Sequence, residues 1–337
     1  MDPAWVALKD EELLRVRICD LGLSIEGTDL EARIAQLYDE LAAHGLTLRP
    51  PCYLGDEWFT PTGRPAIAIP FYLAHPRLKA LEKKQMLEVE GTSPEECAKL
   101  LRHECGHAFD HAYRLSYRRK WRTIFGSPNA DYNPEVYRPR PYSRSFVRHL
   151  PNWYAQAHPD EDFAETFAVW LGLPAEEWRG RYRGWKALEK IEYVDELMKE
   201  IGRKAPIVRG GRRVSDAAKL KTNLERHYDR RRKLWGEQFP DFYDTDLRKI
   251  FESGEKGKLS ASRFMLRHRT ALVSALVAWT GQHKYTVDEL TRKLTKRCAR
   301  LELTAPVDEA RLLLDLGAFL AALVTNHLHT GRFKRSV

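Results

Sequence analysis

The chain has 337 residues, of which 43% are hydrophobic, so it can bury a sizeable core in one large domain or two smaller ones. Its five cysteines form no CxxC pair and are odd in number, which excludes a disulfide framework and predicts reduced thiols in a cytoplasmic protein. The net charge of +9 is concentrated in one segment. We expect no secretory signal, because the N-terminus has no basic region before an apolar run. We also expect no membrane span, because the longest apolar stretches are short or interrupted.

The first elements mix strand-like and helical patterns. The stretch LLRVRICDLGL, residues 13–23, is predicted to be a strand. A helix is predicted over residues 28–45, because Thr28 and Glu31 can form a capping box, the apolar residues between follow a helical period, and Gly45 can end the helix.

Two further strands are predicted in RPPCYLGDEWF and RPAIAIPFYLA, joined by a turn around residues 61–63. Pro65 and Pro70 have no N–H to donate to a ladder, so we expect the second strand at a sheet edge. Such an edge strand can pair with an extended peptide substrate. Alternatively, it is a sheet edge with no role in binding. These strands and the helices that follow predict an α+β fold for the first half of the chain.

The stretch LLRHECGHAFD carries the first chemical signal. Ser93 is a strong N-cap, and Pro94 suits the first helical position, so a helix is predicted from Pro94 to about residue 115. His103 and His107 then lie four residues apart on one face, where two imidazoles can reach one zinc ion. The alternative is a polar helix face that binds no metal.

Two acids accompany these histidines. Glu104 is rotated by about 100° from the ligand face, so it can approach a metal-bound water without binding the metal. Asp110 follows His107 by three residues and lies on its face, so it can accept the spare N–H of a ligand histidine. The metzincin pattern would need a third histidine where Tyr113 stands, so the third ligand must come from elsewhere.

The next stretch, DYNPEVYRPRPYSRSF, is proline-rich and is predicted to be an irregular loop that leads into the site. Arg138, Arg140, Arg144 and Arg148 could clamp a substrate carboxylate in a bidentate way, as a carboxypeptidase would need. An ordinary basic surface loop explains the same arginines.

A later helix, HPDEDFAETFAVWLG, offers the third ligand. His158 and Pro159 read as N-cap and first helical position. Glu161 and Glu165 lie four residues apart on a face edged with aromatic residues, where carboxylates are costly to bury unless a cation pairs with them. A zinc ion would be such a cation, whereas a solvent-facing acidic first turn is the simpler alternative.

With these paired motifs, the chain resembles the bacterial zinc-binding metallopeptidase family. The stretches that carry the resemblance are RHECGHAFDHAYRL, HPDEDFAETFAVWL, RPPCYLGDEWFTPTGRPAIAIPFYLAHPRL, RPRPYSRSFVRHLPNWYAQ and YVDELMKE, within residues 12–200. More distantly, the paired motifs are similar to the catalytic domain of anthrax lethal factor and to the thermolysin-type enzymes, the gluzincins. The gluzincin resemblance implies Glu161 as the third ligand and Glu165 as a group that supports a histidine.

The resemblance implies a zinc-dependent peptidase with one Zn2+ per chain and a peptide or protein substrate. Glu104 would be the general base. Tyr154 has the same offset from the ligand acid as a catalytic tyrosine in the lethal-factor pattern, so it is the candidate oxyanion donor, although it could merely pack beside Trp153. His158 is a competing donor if it does not serve only as an N-cap.

The excess positive charge follows the motifs. Residues 203–233 hold twelve basic and three acidic residues, a net charge of +9. Such a cluster can bind nucleic acid, but it is also typical of a solvated helix face, and no nucleic-acid motif accompanies it. The stretch GRKAPIVRGGRRVSD has the composition of a linker. We therefore predict a catalytic domain over residues 1–205 and a basic linker with an all-α domain over residues 206–337.

The second domain is predicted to be a helical bundle. Its helices are expected to begin near Ser215, Ser260, Thr286 and Val307. His327 and His329 are expected on the surface rather than as ligands. Besides the peptidase, two other functions are compatible with the sequence: a zinc hydrolase of another amide and a nucleic-acid-associated protein. The sequence decides neither the oligomeric state nor whether a peptidase would cleave internal or terminal peptide bonds.

Overall fold

The structure is a computed structural model that describes residues 3–131, 140, 143–210, 213–235, 243–253 and 259–330. Helices dominate and the strands are short, which confirms the α+β class. The helices are α1 (Asp10–Leu13), α2 (Asp29–Ala43), α3 (Pro76–Met86), α4 (Pro94–Tyr113), α5 (Arg119–Phe125), α6 (Pro159–Gly172), α7 (Ala175–Arg181), α8 (Lys186–Ile201), α9 (Leu224–Trp235), α10 (Asp244–Ile250), α11 (Ala261–Thr280), α12 (Lys284–Arg300) and α13 (Glu309–Thr330). The strands are β1 (Cys52–Gly55), β2 (Ile67–Pro70), β3 (Glu252–Ser253) and β4 (Leu303–Thr304).

The chain divides into two compact units, the first made mostly of residues up to His227 and the second mostly of residues from Tyr228 onward. This division falls later than the predicted boundary at residue 205. The segment after that boundary does not behave as a free linker, because its backbone hydrogen-bonds to the first unit: the Val208 amide donates to the Ala112 carbonyl, and the Leu224 amide to the Val16 carbonyl.

The predicted strand over residues 13–23 is wrong. The segment contains the end of α1, a single antiparallel bridge from Arg17 to Asn223, and a 3-10 turn over Ile18–Leu21. Its buried residues are Leu13, Ile18 and Leu21, whose spacing does not follow the two-residue period of a half-buried strand. The bridge partner comes from the distant segment around Asn223, which local sequence cannot supply.

The small sheet differs from the predicted hairpin. β1 and β2 are parallel, with Tyr53 opposite Ala68. The turn at residues 61–63 forms, with Gly63 at a φ of 71°, but it joins β2 to Phe59, which bridges Ala68 in an antiparallel sense. Since β2 has neighbours on both sides at Ala68, that position is not an open edge for a peptide.

The helix predictions near the site hold. Thr28 caps α2 and accepts from the Leu30 amide at 3.3 Å, while Glu31 accepts from the amide of Gly27 rather than from Thr28. Helices α4 and α6 cross in the core of the first unit. Aromatic side chains surround the crossing and are buried, namely Phe109, Trp121, Phe163, Phe167 and Trp170.

In the second unit, α10 to α13 enclose a separate apolar core. Ser260 caps α11 as predicted, accepting from the Arg263 amide at 3.3 Å. Helix α12 begins at Lys284, so Thr286 lies inside it rather than at its cap. Asp308 accepts from the Arg311 amide near the start of α13. His327 is partly buried, and burial lowers its pKa to about 4.

Two expectations from composition agree with the structure. All five cysteines are free. None of the helices in the described part of the chain is long and apolar enough to cross a membrane.

Candidate metal centre

Helix α4 presents two histidines on one face. Ser93 begins the helix by accepting the Glu96 amide at 3.1 Å, and Pro94 occupies the first turn, where its missing N–H costs nothing. Twenty residues then run without a break, so His103 and His107 are separated by about one turn. Their Nε2 atoms lie 3.2 Å apart.

Helix α6 presents the two glutamates. The ring Nδ1 of His158 accepts the Asp160 amide at 3.2 Å, and Pro159 follows as the first helical residue. Glu161 and Glu165 are both buried, with 6% and 1% of their surfaces exposed. Burying two carboxylates on one helix face requires a positive partner, as the sequence suggested.

Gly106 allows these two helices to approach closely. A Cβ at this position would lie 2.8 Å from the Ala164 Cα and 3.1 Å from the Ala164 carbonyl oxygen. Both atoms belong to backbone and cannot swing away. The histidines on either side of Gly106 therefore reach the glutamates only because this residue has no side chain.

The three predicted ligands converge on one point. The Glu161 Oε2 atom lies 3.0 Å from the His103 Nε2 atom and 3.2 Å from the His107 Nε2 atom. A tetrahedral zinc ion with bonds of about 2.0–2.1 Å holds its ligand atoms about 3.3–3.4 Å apart. The triangle is thus close to the size of one face of a zinc tetrahedron, and the donor set of two imidazoles and a carboxylate suits zinc.

Glu165 supports the first histidine. Its Oε1 atom lies 2.9 Å from the His103 Nδ1 atom, and its Oε2 atom accepts the Leu150 amide at 2.9 Å. A carboxylate at this position favours the proton on Nδ1, so in the neutral imidazole Nε2 is the nitrogen that can ligate a metal. The structure therefore gives the two acids different contacts: Glu161 faces both Nε2 atoms, and Glu165 lies behind His103.

The electrostatics of the cluster favour a cation. Burial lowers the pKa of His103, but its hydrogen bonds to Glu161 and Glu165 outweigh this and hold the pKa well above its usual value. Burial raises the pKa of Glu161, yet the neighbouring histidines reverse this and hold it well below its usual value. Without a metal, the carboxylates stabilise protonated histidine. A metal cation competes with those protons for the same ligand atoms.

Glu104 lies beside the cluster, with 6% of its surface exposed. Its Oε2 atom is buried and has no hydrogen-bond partner among the described residues, and burial raises its pKa. Thr60 holds the local backbone by donating to the Glu104 carbonyl at 2.9 Å. The ring of Tyr154 lies 5.7 Å from that of His103, centroid to centroid.

Asp110 does not make the predicted contact with a ligand histidine. It accepts the Ser116 amide at 2.6 Å and the Ser116 hydroxyl at 3.1 Å, and thereby ties the end of α4 to the turn that follows. The histidine that it contacts is His111, whose Nδ1 atom lies 3.7 Å from the Asp110 Oδ2 atom; burial lowers the pKa of His111 to about 4, so this ring is neutral near pH 7. The error arose because helical periodicity places a side chain on a face but does not show a competing partner beyond the helix end.

His158 has no spare donor to offer an oxyanion. Its Nδ1 atom accepts the Asp160 amide, so the proton lies on Nε2, which is 3.0 Å from the Ala130 carbonyl and donates to it. This supports the capping role. Cys105, inside the motif, is fully buried, and burial raises the pKa of its thiol well above the usual value.

The described arginines of the predicted carboxylate clamp have identifiable neighbours in the structure. Arg138 lies outside the described residues. The Arg140 amide donates to the Gln156 side chain at 2.7 Å. The guanidinium carbons of Arg144 and Arg148 lie 5.9 and 5.3 Å from the ring centroid of Trp185. Arg144 and Arg148 thus lie against one aromatic ring, and the clamp stays a prediction.

Two contributors to the site were not found from sequence. Gly106 was visible inside HECGH, but only the crossing of α4 and α6 shows why a glycine is needed there. The Leu150 amide carries no side-chain signal at all, and its role depends on the path of the chain before α6.

Comparisons with known proteins agree with this geometry. Residues 91–195 match the sequence model of a family described as "Putative zinc-binding metallo-peptidase". The family resemblance is confirmed over this segment. An uncharacterized protein of Mycobacterium bovis and one of Mycobacterium tuberculosis are each 38% identical to this chain over 83 residues. The match covers 21% of this chain and only 23% of each relative. No solved structure matches the chain significantly.

Proposed function

We propose that the chain is a gluzincin-like, zinc-dependent metallopeptidase that holds one Zn2+ through His103, His107 and Glu161. The observation that carries the proposal is the mutual spacing of 3.0–3.2 Å among the His103 Nε2, His107 Nε2 and Glu161 Oε2 atoms. Three protein ligands of this kind are typical of catalytic zinc sites, whereas structural sites are closed by four. The family match over residues 91–195 supports the same class.

The residues around the ligands have the chemistry that hydrolysis needs. Zinc bound there would lower the pKa of a water molecule and polarise the substrate carbonyl. Glu104 accepts the proton of the attacking water and delivers it to the leaving amine, a role suited to a buried carboxyl whose pKa is raised by burial. Tyr154 donates to the oxyanion that develops on the carbonyl. Glu165 keeps His103 oriented.

The proposed substrate is a peptide or protein. The family description names a peptidase, and a carboxyl beside a two-histidine, one-acid centre is suited to amide hydrolysis. A zinc hydrolase of another amide would use the same residues, so it is the outcome to separate by experiment. For nucleic-acid binding through residues 203–233, the support is the net positive charge of that segment.

The test combines metal analysis with a peptide-library digest read by mass spectrometry. Wild type should hold about one zinc per chain and lose its activity on treatment with a chelator. Glu104→Gln should keep zinc and fold but abolish cleavage, because Glu104 contacts the water and not the metal. Tyr154→Phe should keep zinc and lower kcat more than it raises KM, since an oxyanion donor acts mainly in the transition state.

Glu95→Gln is the matched control for Glu104→Gln, because Glu95 is an exposed acid on the same helix. It should cleave peptides like the wild type. Equal cleavage by wild type and Glu104→Gln would show that the activity comes from another site. Zinc loading without cleavage of any peptide would move the substrate to another amide.

A further inference from the structure

The first unit contains a second recess that the metal centre does not use. It has a volume of about 520 Å3, within the range of small-molecule sites. The walls come from the 3-10 turn Ile18–Leu21, the start of α2, strand β1 and residues 213–218. Neither the proposed zinc ligands nor Glu104 line it.

The inner wall of this recess is apolar and aromatic. Ile18, Ile34, Tyr53 and Leu54 are buried side chains that line it. Tyr38 adds a second aromatic ring. A ligand that fills the recess therefore needs an apolar or aromatic body to replace the water that contacts this wall.

The polar groups at the recess favour a positive charge. Three carboxylates line it, those of Glu26, Glu31 and Asp216, against the single guanidinium of Arg213. Asp216 is the most buried of the three, with 9% of its surface exposed. Its Oδ1 atom accepts the Ala218 amide at 3.2 Å, while Oδ2 lies 4.0 Å from the Lys219 ammonium, which is a weak and exposed contact.

The tyrosines reinforce that preference. The Tyr53 hydroxyl donates to the Val214 carbonyl at 2.8 Å, and the Tyr38 hydroxyl to the Pro50 carbonyl at 2.7 Å. Both phenol protons are thus committed to backbone, so the tyrosine hydroxyls can offer a ligand acceptors but not donors. Guanidinium carbons already lie near these rings, that of Arg213 5.6 Å from Tyr53 and that of Arg49 5.8 Å from Tyr38.

We propose that this recess binds a small organic cation, an ammonium or guanidinium group carried on a short aromatic or apolar body. The cationic group contacts the Asp216 carboxylate, and the body packs against Tyr53, Leu54 and Ile34. This site is separate from the proposed zinc centre, so its failure in a test leaves the peptidase proposal untouched.

Cys19 provides a direct readout, because it lines the recess and is partly exposed. Cys52 also lines it, but burial raises the pKa of that thiol to about 12, so it should react slowly. The experiment measures the rate at which N-ethylmaleimide modifies Cys19 in the full chain, by peptide mapping. Cys19→Ser identifies the modified thiol.

The probes are tryptamine and its neutral isostere tryptophol. Tryptamine at about four times its Kd should slow modification about fivefold, because reactivity follows the unoccupied fraction of sites. Tryptophol at the same concentration should have little effect. Asp216→Asn removes the charge but keeps an oxygen for the Ala218 amide, and it should weaken tryptamine binding about tenfold without changing the rate in free protein.

Several results would overturn the proposal. Equal protection by tryptamine and tryptophol would make the recess merely apolar. No protection at millimolar tryptamine, or equal protection of wild type and Asp216→Asn, would rule out the cation site. Protection by inorganic phosphate instead, lost in Arg213→Gln, would assign the recess to anions. Thermal unfolding of Asp216→Asn serves as the check that the variant is folded.

Discussion

The change Gly106→Ala tests how the metal centre is assembled. A Cβ at residue 106 would lie 2.8 Å from the Ala164 Cα, which is 0.6 Å short of the 3.4 Å at which ordinary contact begins. The neighbouring atoms are the backbone of α6 and the Phe167 Cβ, so no flexible side chain can yield. The two helices must therefore separate by about half an ångström.

That displacement is large on the scale of a metal site. Metal–ligand distances are held within about 0.2 Å, so Glu161 can no longer share an ion with both histidines without strain. We expect zinc affinity to fall about 10–100-fold, the range seen when supporting groups of a metal site are lost. Overpacking costs about 1–3 kcal/mol, and replacing a helical glycine offsets about 0.5–1 kcal/mol of this, so the metal-free protein should lose up to about 2.5 kcal/mol of stability.

The assay separates these two effects. Urea unfolding in the presence of chelator gives the stability of the metal-free protein, and competition with a chromophoric chelator gives zinc affinity. Gly180→Ala is the matched control: Gly180 is also helical, in α7, and its added Cβ would meet no atom within 4 Å. The control should keep its zinc affinity and gain up to about 1 kcal/mol of stability. If Gly106→Ala binds zinc as tightly as wild type, the reasoning about the helix crossing is refuted.

Three further predictions follow from buried charges. Glu161→Ala should abolish zinc retention, while Glu165→Gln should weaken zinc affinity about 10–100-fold because His103 loses its carboxylate partner. Isothermal titration calorimetry measures both affinities. Loss of zinc in Glu165→Gln with retention in Glu161→Ala would exchange the two roles. Burial raises the pKa of Asp110 to about 6, above its unfolded value near 3.8, so the folded state binds the proton more tightly and the free energy of unfolding falls as pH rises from about 4 to about 6. Asp110→Asn should remove up to about 3 kcal/mol of that fall, measured by urea unfolding at several pH values. An unchanged dependence of stability on pH in Asp110→Asn would contradict this prediction. Lys190 and Asp162 form a buried ion pair at 2.5 Å, so Lys190→Met should lower the free energy of unfolding by about 3–5 kcal/mol at pH 8. Adding Asp162→Leu to this variant should restore most of that stability. If the effects of the two substitutions simply add, the stabilising role of the pair is contradicted.

Much of the site follows from local sequence. Ser93 and His158 each precede a proline, and both cap the helix that begins there. Helical spacing then puts His103 and His107 on one face, and Glu161 and Glu165 on another. These features were predictable because caps and periodicity depend on neighbours within one or two turns.

Other features required the tertiary structure. The different contacts of Glu161 and Glu165 depend on where α6 crosses α4. The resemblance implied Glu161 as a ligand and Glu165 as a support for a histidine, but helical spacing alone could not tell the two acids apart. The partner of Asp110 is Ser116, beyond the end of the helix, and the partner of Arg17 is Asn223, more than two hundred residues away. A periodic pattern cannot select such partners.

The boundary between the two units shows the same contrast between what the sequence predicts and what the tertiary structure decides. By itself, the sequence determined that residues near 210 are basic, rich in glycine and poor in apolar periodicity, which is the composition of a linker. Only the tertiary structure decided that this segment returns to the first unit, where the Val208 and Leu224 amides find backbone acceptors. The physical reason is that backbone hydrogen bonds are available to any residue, whatever its side chain, so composition does not reveal which distant segment supplies the partner.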